Sequence, residues 1–270
     1  MSDGYWPDLW RELSDRFRWP ETTGSSGWRE ERARHFNAAS RRKSAERPDP
    51  LLDFLLGNLE EDYTALDIGA GTGRFAVPMA KVAREVTAVE PSPSMSAFLL
   101  ENAADEGVTN IRLVEAGWED VEVERHDVVF CSHAMYTTPD IVSFVRKMEA
   151  NARVACFLLM RVPSHDGVMA DLSTIVYGQP HDSPNFVVGY NALYSMGIYA
   201  NVMMEPFMRP WTNANLDDAL GRARRHLRLG DDKTHDDTIR GALARRLILR
   251  DGEYYWPDGM RSALAWWKPH

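Results

Sequence analysis

Four residues in one short stretch have the types and spacing to hold a ligand: Asp67, Gly69, Gly71 and Gly73 in Thr64-Ala-Leu-Asp67-Ile-Gly69-Ala70-Gly71-Thr-Gly73-Arg74. Alternating glycines permit positive φ and carry no Cβ, so backbone N–H groups and the start of a following helix can approach a bound molecule closely. A turn of this kind holds a nucleotide-like cofactor. A second carboxylate, Glu90, closes the apolar run Val86-Thr-Ala-Val-Glu90, about 20 residues on, where an acid can accept hydrogen bonds from both hydroxyls of a ribose. His133 and Tyr136 follow a third apolar run, Asp127-Val-Val-Phe-Cys131-Ser132. An imidazole titrates near neutrality and could take a proton from a hydroxyl or ammonium, although it could equally pack behind a cofactor or bond a carbonyl. A tyrosine in such a place orients a hydroxyl or offers its π-face to a cation.

These residues need strands that end together and helices that start there. Thr64 to Ile68 reads as a buried strand running into the glycine turn, and Ser92 with Pro93 reads as a helix start. Strands are expected at about Thr64 to Ile68, Val86 to Glu90, Ile111 to Glu115, Asp127 to Ser132, Val154 to Arg161, Ile198 to Met204 and Ser262 to Trp267. Helices are expected near Arg74 to Val82, Ser94 to Ala103, Ile141 to Ala152, Leu216 to Leu227 and His235 to Leu249. Strands alternating with amphipathic helices imply a mostly parallel sheet covered on both faces. A dinucleotide fingerprint would require G-x-G-x-x-G, and here Arg74 stands where its third glycine belongs. That spacing disfavours a nicotinamide-dependent oxidoreductase.

The stretch Asp67-x-Gly69-x-Gly71-x-Gly73 resembles motif I of the class I S-adenosylmethionine-dependent methyltransferases. The resemblance spans about Pro50 to Ala152 by motifs and the rest by strand order. It implies S-adenosyl-L-methionine as cofactor, with Asp67 engaging its amino-acid end through other groups and Glu90 its ribose. The cofactor contacts expected on this basis are Asp67, Gly69, Ala70, Gly71, Gly73, Glu90, Pro91, Met95, Gly117, Trp118, Glu119, Cys131 and Ser132. Gly117-Trp118 replaces the acidic and small pair common after the third strand of relatives, so Trp118 is expected to wall the adenine, with Glu119 or Asp120 taking its amine. The end of the Asp127–Ser132 strand corresponds to motif IV, which faces the methyl group. It lacks the Asn/Asp-Pro-Pro-Tyr/Phe signature of enzymes that methylate nucleobases or protein glutamine. His133 and Tyr136 are the candidate catalytic residues, and His133, Tyr136, Arg161, His165, Tyr190 and Tyr194 the candidate acceptor contacts.

The resemblance implies an α/β fold: a Rossmann-like, doubly wound seven-stranded sheet, mostly parallel with an antiparallel last strand. An N-terminal helical segment and a helical insertion after the fifth strand add to it. Residues 1–48, with Trp6, Trp10, Trp19 and Trp28, form either a lid over the cofactor or an anchor on the core. Residues 49–270 form the catalytic domain, within which 164–197 leaves the end of the fifth strand and is expected to recognise the substrate.

The formal net charge of −9 would repel a polyanion, so a small-molecule acceptor is expected and no nucleic acid. No apolar run is long enough to span a bilayer, so no membrane partner and a cytoplasmic location are expected. Cys131 and Cys156 fall in apolar strands and imply no disulfide framework. His165, Asp166, His181 and Asp182 form no compact ligand motif, so no metal is expected. The reading is methyl transfer to a small molecule; the alternative is a protein that binds the cofactor as a sensor or scaffold without turnover.

Overall fold

The computed structural model describes residues 4–17, 30–31, 33–38, 41, 48–164, 167–206, 211–257 and 261–269. Its main sheet contains β1 (Thr64–Ile68), β2 (Glu85–Val89), β3 (Ile111–Val114), β4 (His126–Ser132), β5 (Ala152–Val162), β6 (Asn201–Met204) and β10 (Arg261–Trp267), in the order β3-β2-β1-β4-β5-β10-β6. The first five pair in parallel, and β10 runs antiparallel between β5 and β6. All seven expected strands are present. β6 begins later than the sequence pattern suggests, because Ile198 donates its N–H to Leu193 O at the end of the preceding helix instead of joining a ladder.

Alternation along the strands sends successive side chains to opposite faces. Leu66, Ile68, Val129 and Cys131 enter one core, and Ala65, Val128 and Phe130 enter the other. The first core is covered by α1 (Tyr5–Phe17), α5 (Ile141–Asn151) and α7 (Phe186–Ser195). The second is covered by α2 (Pro50–Leu56), α3 (Ala76–Ala80) and α4 (Pro93–Asp105). Both cores abut β1 and β4, so the ends of these strands are held rigidly from two sides.

The N-terminal helix α1 is tied into the first core. Trp10 is fully buried and donates its indole N–H to Thr138 O at 2.9 Å. A Cβ on Gly189 of α7 would lie 3.0 Å from Trp10 Cζ3, so that glycine admits the indole. Residues 30–31 and 33–38 are helical, whereas Trp19 and Trp28 lie outside the described residues.

A third apolar cluster was not foreseen. Helices α6 (Val168–Tyr177), α8 (Leu216–His226) and α9 (Asp236–Arg246) bury Leu172, Leu220, Ile239 and Leu243 together with Trp256. A small antiparallel sheet, β7 (Thr212–Asn213), β9 (Glu253–Tyr255) and β8 (Ile248–Arg250), accompanies them. Strands of two or three residues are too short to show a period.

Candidate functional site

The turn after β1 is shaped by positive φ at alternate residues, 70° at Gly69 and 59° at Gly71. The two glycines do different work. A Cβ on Gly69 would sit 2.2 Å from the Cβ of Ala134, so this position is glycine because the turn after β1 presses against the turn after β4. Among the described residues, a Cβ on Gly71 would meet only Phe36 Cε1, at 3.6 Å. Its missing side chain therefore opens space on the ligand side, and that space is bordered by the N-terminal segment.

Glu90 stands directly after β2, 7% exposed, with both carboxylate oxygens held: Gly71 N–H donates to one at 2.8 Å and Ser92 N–H to the other at 2.9 Å. Burial raises its pKa, and the two N–H groups oppose that rise. Ser92 begins the helix as expected, with Pro93 in the first turn, but makes no side-chain cap. Its N–H serves Glu90 instead. Asp67, near the end of β1, is 1% exposed, and its Oδ2 has no hydrogen-bond partner among the described residues. Burial first, and the Glu90 charge second, push its pKa up to about 7, against a hydrogen bond from the Ala76 backbone.

Arg74, which breaks the dinucleotide fingerprint, forms an ion pair with Asp49; Asp49 also accepts from Leu52 N–H at the start of α2. It therefore fastens α2 to the turn. Asn102 of α4 donates to Thr72 O and to Asn37 Oδ1, each at 2.8 Å, while Arg41 donates to Asn102 Oδ1 at 2.9 Å. Residues 33–38 are thereby clamped beside Gly71. Nothing in the local sequence around Asn102 announces this clamp, since its partners lie 30 to 65 residues away.

Other expected cofactor contacts divide. Ala70 is buried, its N–H bonded to Val89 O, and Pro91 and Met95 stand beside Glu90 at the start of α4. Gly117 follows β3 at the same edge. Trp118 is 4% exposed and enters the first core: its indole N–H points to Phe144 O at 3.4 Å, its ring meets that of Phe144 edge-on, and Lys147 lies over it. Glu119 accepts from Thr138 Oγ1 at 2.5 Å, linking the turns after β3 and β4. Cys131 is buried within the sheet, its thiol pushed up by desolvation, and Ser132 is half-buried at the strand end.

After β4 the chain turns sharply at His133, whose φ is 57°. A non-glycine residue in this region is strained and is held there by its surroundings. Here His133 N–H donates to Leu159 O at 3.1 Å, and its Nδ1 lies 2.9 Å from Tyr136 Oη. Tyr136 Oη accepts the Arg161 backbone N–H at 2.5 Å, and the Arg161 guanidinium lies over the Tyr136 ring. Burial pushes the Tyr136 phenol up to about 12, so it stays protonated. His133, Tyr136 and Arg161 are thus brought together, although 25 residues separate the last two.

Tyr190 and Tyr194 are not part of that group. Tyr190 donates to Ala200 O at 3.0 Å and packs against Phe186. Tyr194 is 59% exposed against Tyr199 on the outer surface. His165 lies outside the described residues.

Beyond Arg161 a pocket opens, about 610 Å³ counting its mouth, between the end of β5, the start of α6 and the third cluster. In its wall His226 Nε2 pairs with Asp182 Oδ2. Burial works to raise the Asp182 pKa, but His226 and the nearby Arg161 together hold it below the usual carboxylate range. Nothing in the local sequence around His226 announces this pairing, because its partner is 44 residues away. No group of three or more His, Cys, Asp and Glu residues among those described is placed to hold a metal ion, and no described helix is long and apolar enough to cross a membrane.

Residues 65–154 match a family model described as a methyltransferase domain. The chain is 29% identical over 150 residues to an uncharacterised protein of Haemophilus influenzae, covering 54% of each. It is 33% identical over 98 residues to the probable ribosomal RNA small subunit methyltransferase A of Methanosphaera stadtmanae, covering 36% of each. These matches span about half and about a third of those relatives' lengths. Among solved structures, the YcgJ protein of Bacillus subtilis superposes with a TM-score of 0.55 at 15% identity, covering 81% of this chain and 98% of that one.

The expectation of no nucleic-acid partner is overturned by these matches. Besides the archaeal protein, the ribosomal RNA small subunit methyltransferase G of Neisseria gonorrhoeae is 36% identical over 93 residues. Net charge is a property of the whole chain, whereas an acceptor is read by a local surface, so acidity does not exclude RNA.

Proposed function

We propose that this chain, a class I S-adenosylmethionine-dependent methyltransferase by its strand order and by the domain at residues 65–154, methylates a small-molecule acceptor held off the ends of β4 and β5. The cofactor, when bound, supplies a methyl group on a sulfonium already activated for in-line displacement, which leaves the protein to align the partners and exclude water. The observation that carries the reading is the pair of carboxylates at the glycine turn. Asp67 offers a buried, orphaned oxygen with a raised pKa, a centre that an ammonium group satisfies directly or through one water. Glu90 is held by two backbone N–H groups and keeps lone pairs for two ribose hydroxyls. Gly71 leaves open the space a side chain would fill.

His133 and Tyr136 act as positioning residues in this reading. Tyr136 Oη receives the Arg161 N–H and so directs its own proton to His133 Nδ1. An uncharged imidazole that accepts on Nδ1 carries its proton on Nε2, which suits it to donate a hydrogen bond to the acceptor molecule and not to take a proton from it. The pocket beyond Arg161 supports a small acceptor by its largely apolar lining with a few polar groups. A second reading, an RNA acceptor, is favoured by the ribosomal RNA methyltransferases among the relatives. Residues 1–48 are read as half anchor, through Trp10, and half lid, through the helical residues clamped by Asn102.

Release of S-adenosylhomocysteine separates these readings when the protein is offered a metabolite library in one set of reactions and deproteinised ribosomal RNA in another. Turnover with RNA alone would replace the small-molecule reading. Tight cofactor binding without turnover in either set would identify a sensor or scaffold. Once an acceptor is found, single-turnover rates across pH test His133: parallel profiles for wild type and His133→Ala support positioning, and loss of a near-neutral limb in the variant supports a base.

A further inference from the structure

We infer that the pocket beyond β5 recognises a planar aromatic ring bearing a hydroxyl group, with His226 accepting the hydroxyl hydrogen bond and Trp211 and Trp256 forming the walls. In taking that ring as the methyl acceptor, the inference rests on the reading above.

The polar side chains of the pocket are mostly committed to the protein itself. Asn185 caps α7, its Oδ1 accepting from Val187 N–H and Val188 N–H, and its amide donates to Ser183 O. Asp182 takes the Ser183 hydroxyl on one oxygen and His226 on the other. The Arg161 guanidinium donates to Ser183 Oγ at 2.7 Å and to Pro184 O at 3.0 Å. The Asp182 carboxylate on Nε2 places the proton of an uncharged His226 ring there, which leaves Nδ1 as a lone-pair acceptor. That nitrogen has no hydrogen bond among the described residues and is not among the fully buried orphaned atoms.

Around this acceptor much of the lining is apolar or aromatic. Trp211 lies 6.0 Å from His226 and 5.7 Å from Trp256, ring centre to ring centre, and Val168 and Met169 also line the pocket. Trp256 is kept upright by its indole N–H bond to Asn213 Oδ1 at 2.8 Å. One fixed acceptor among flat apolar walls suits a ring with one hydroxyl, since aromatic edges and faces pack against indoles and an O–H satisfies the imidazole. The pocket is coupled to the transfer point through Arg161, which lines it and also holds Tyr136, the partner of His133.

The test uses the full chain with 4-methylphenol as probe, and 4-methylcyclohexanol and 4-methylanisole as partners lacking the flat ring or the hydroxyl donor. Ligand-observed NMR should rank 4-methylphenol about tenfold tighter than either, the scale of one hydrogen bond or one ring contact. The ¹⁵N signal of His226 Nδ1 should shift on its addition. Trp211→Leu, and His226→Phe combined with Asp182→Asn to avoid stranding a buried charge, should each remove that preference while cofactor affinity stays within twofold. Equal binding of the three probes, an unmoved His226 signal, or a preference that survives both variants would overturn the assignment. Calorimetry with S-adenosylmethionine on the same samples keeps the two readings apart: a wild type that prefers the phenol but ignores the cofactor sinks methyl transfer and leaves the pocket standing.

Discussion

The two halves of this molecule build their sites in opposite ways. The half proposed to hold the cofactor draws Asp67, Gly69, Gly71 and Glu90 from one stretch of strand, turn and strand, and hydrogen bonds fix each of the acids to that same stretch. The proposed acceptor pocket assembles Arg161, Asp182, Trp211, His226 and Trp256 from five separated positions, joined by contacts that cross 22 to 45 residues of chain. A locally built site depends on backbone conformation and survives sequence drift elsewhere. A site built from distant parts depends on packing and can be exchanged without touching the cofactor. That division fits relatives whose matches to this chain lie chiefly in part of its length, and it allows one cofactor frame to serve RNA and small molecules alike.

The contrast can be broken most forcefully at Gly69. Gly69→Ala places a Cβ 2.2 Å from Ala134 at positive φ. It should cost roughly 2 to 5 kcal/mol of stability, combining overpacking with backbone strain, and carry cofactor binding away with it. Urea unfolding followed by circular dichroism measures this. A fully stable variant would show that the two turns do not depend on their close approach.

Glu90→Ala should leave the fold in place and weaken S-adenosylmethionine binding by about 1.5 to 3 kcal/mol, the scale of hydrogen bonds to a charged group. Calorimetry on both proteins decides it, and unchanged affinity would remove Glu90 from the site.

Asp67 couples the glycine turn to pH. Its carboxyl keeps a proton up to about pH 7 when folded and releases it near 3.8 in the ordinary state. The ligand-free fold therefore loses this contribution as pH rises from about 4 through 7. A cationic cofactor reverses the preference, so its affinity should climb with pH through the same range, at most about tenfold per pH unit. Asp67→Asn should flatten that dependence, and a slope retained in the variant would locate it in another group.

The smallest effect is expected at Asn102, which joins the glycine turn to the N-terminal segment. Asn102→Ala should cost about 1 kcal/mol or less of stability and chiefly quicken cofactor release in stopped-flow measurements. Unaltered release would assign residues 33–38 a purely structural role.

Much of the cofactor half was legible in the sequence because its information is local. A strand period, glycines two apart and an acid at a strand tip are each readable within a few residues, whereas the seven-stranded arrangement was what the family resemblance implied, and its order is seen only in the fold. Trp118 was less legible: an aromatic beside the site and an aromatic in the core look the same until Phe144 and Lys147 are placed around it. Tyr190 and Tyr194 were indistinguishable as a pair in sequence, yet one bonds Ala200 and the other faces outward.

Local patterns in the chain specified the seven strands and the carboxylates at the ends of β1 and β2, because backbone hydrogen bonding and side-chain alternation act over short spans of chain. Only the tertiary structure decided that Trp10 anchors α1, that Asn102 grips both the glycine turn and Asn37, and that Asp182 finds His226 across the pocket. Those pairings arise when whole helices dock on the sheet. Their partners are chosen by shape and burial across the fold, which no local spacing encodes.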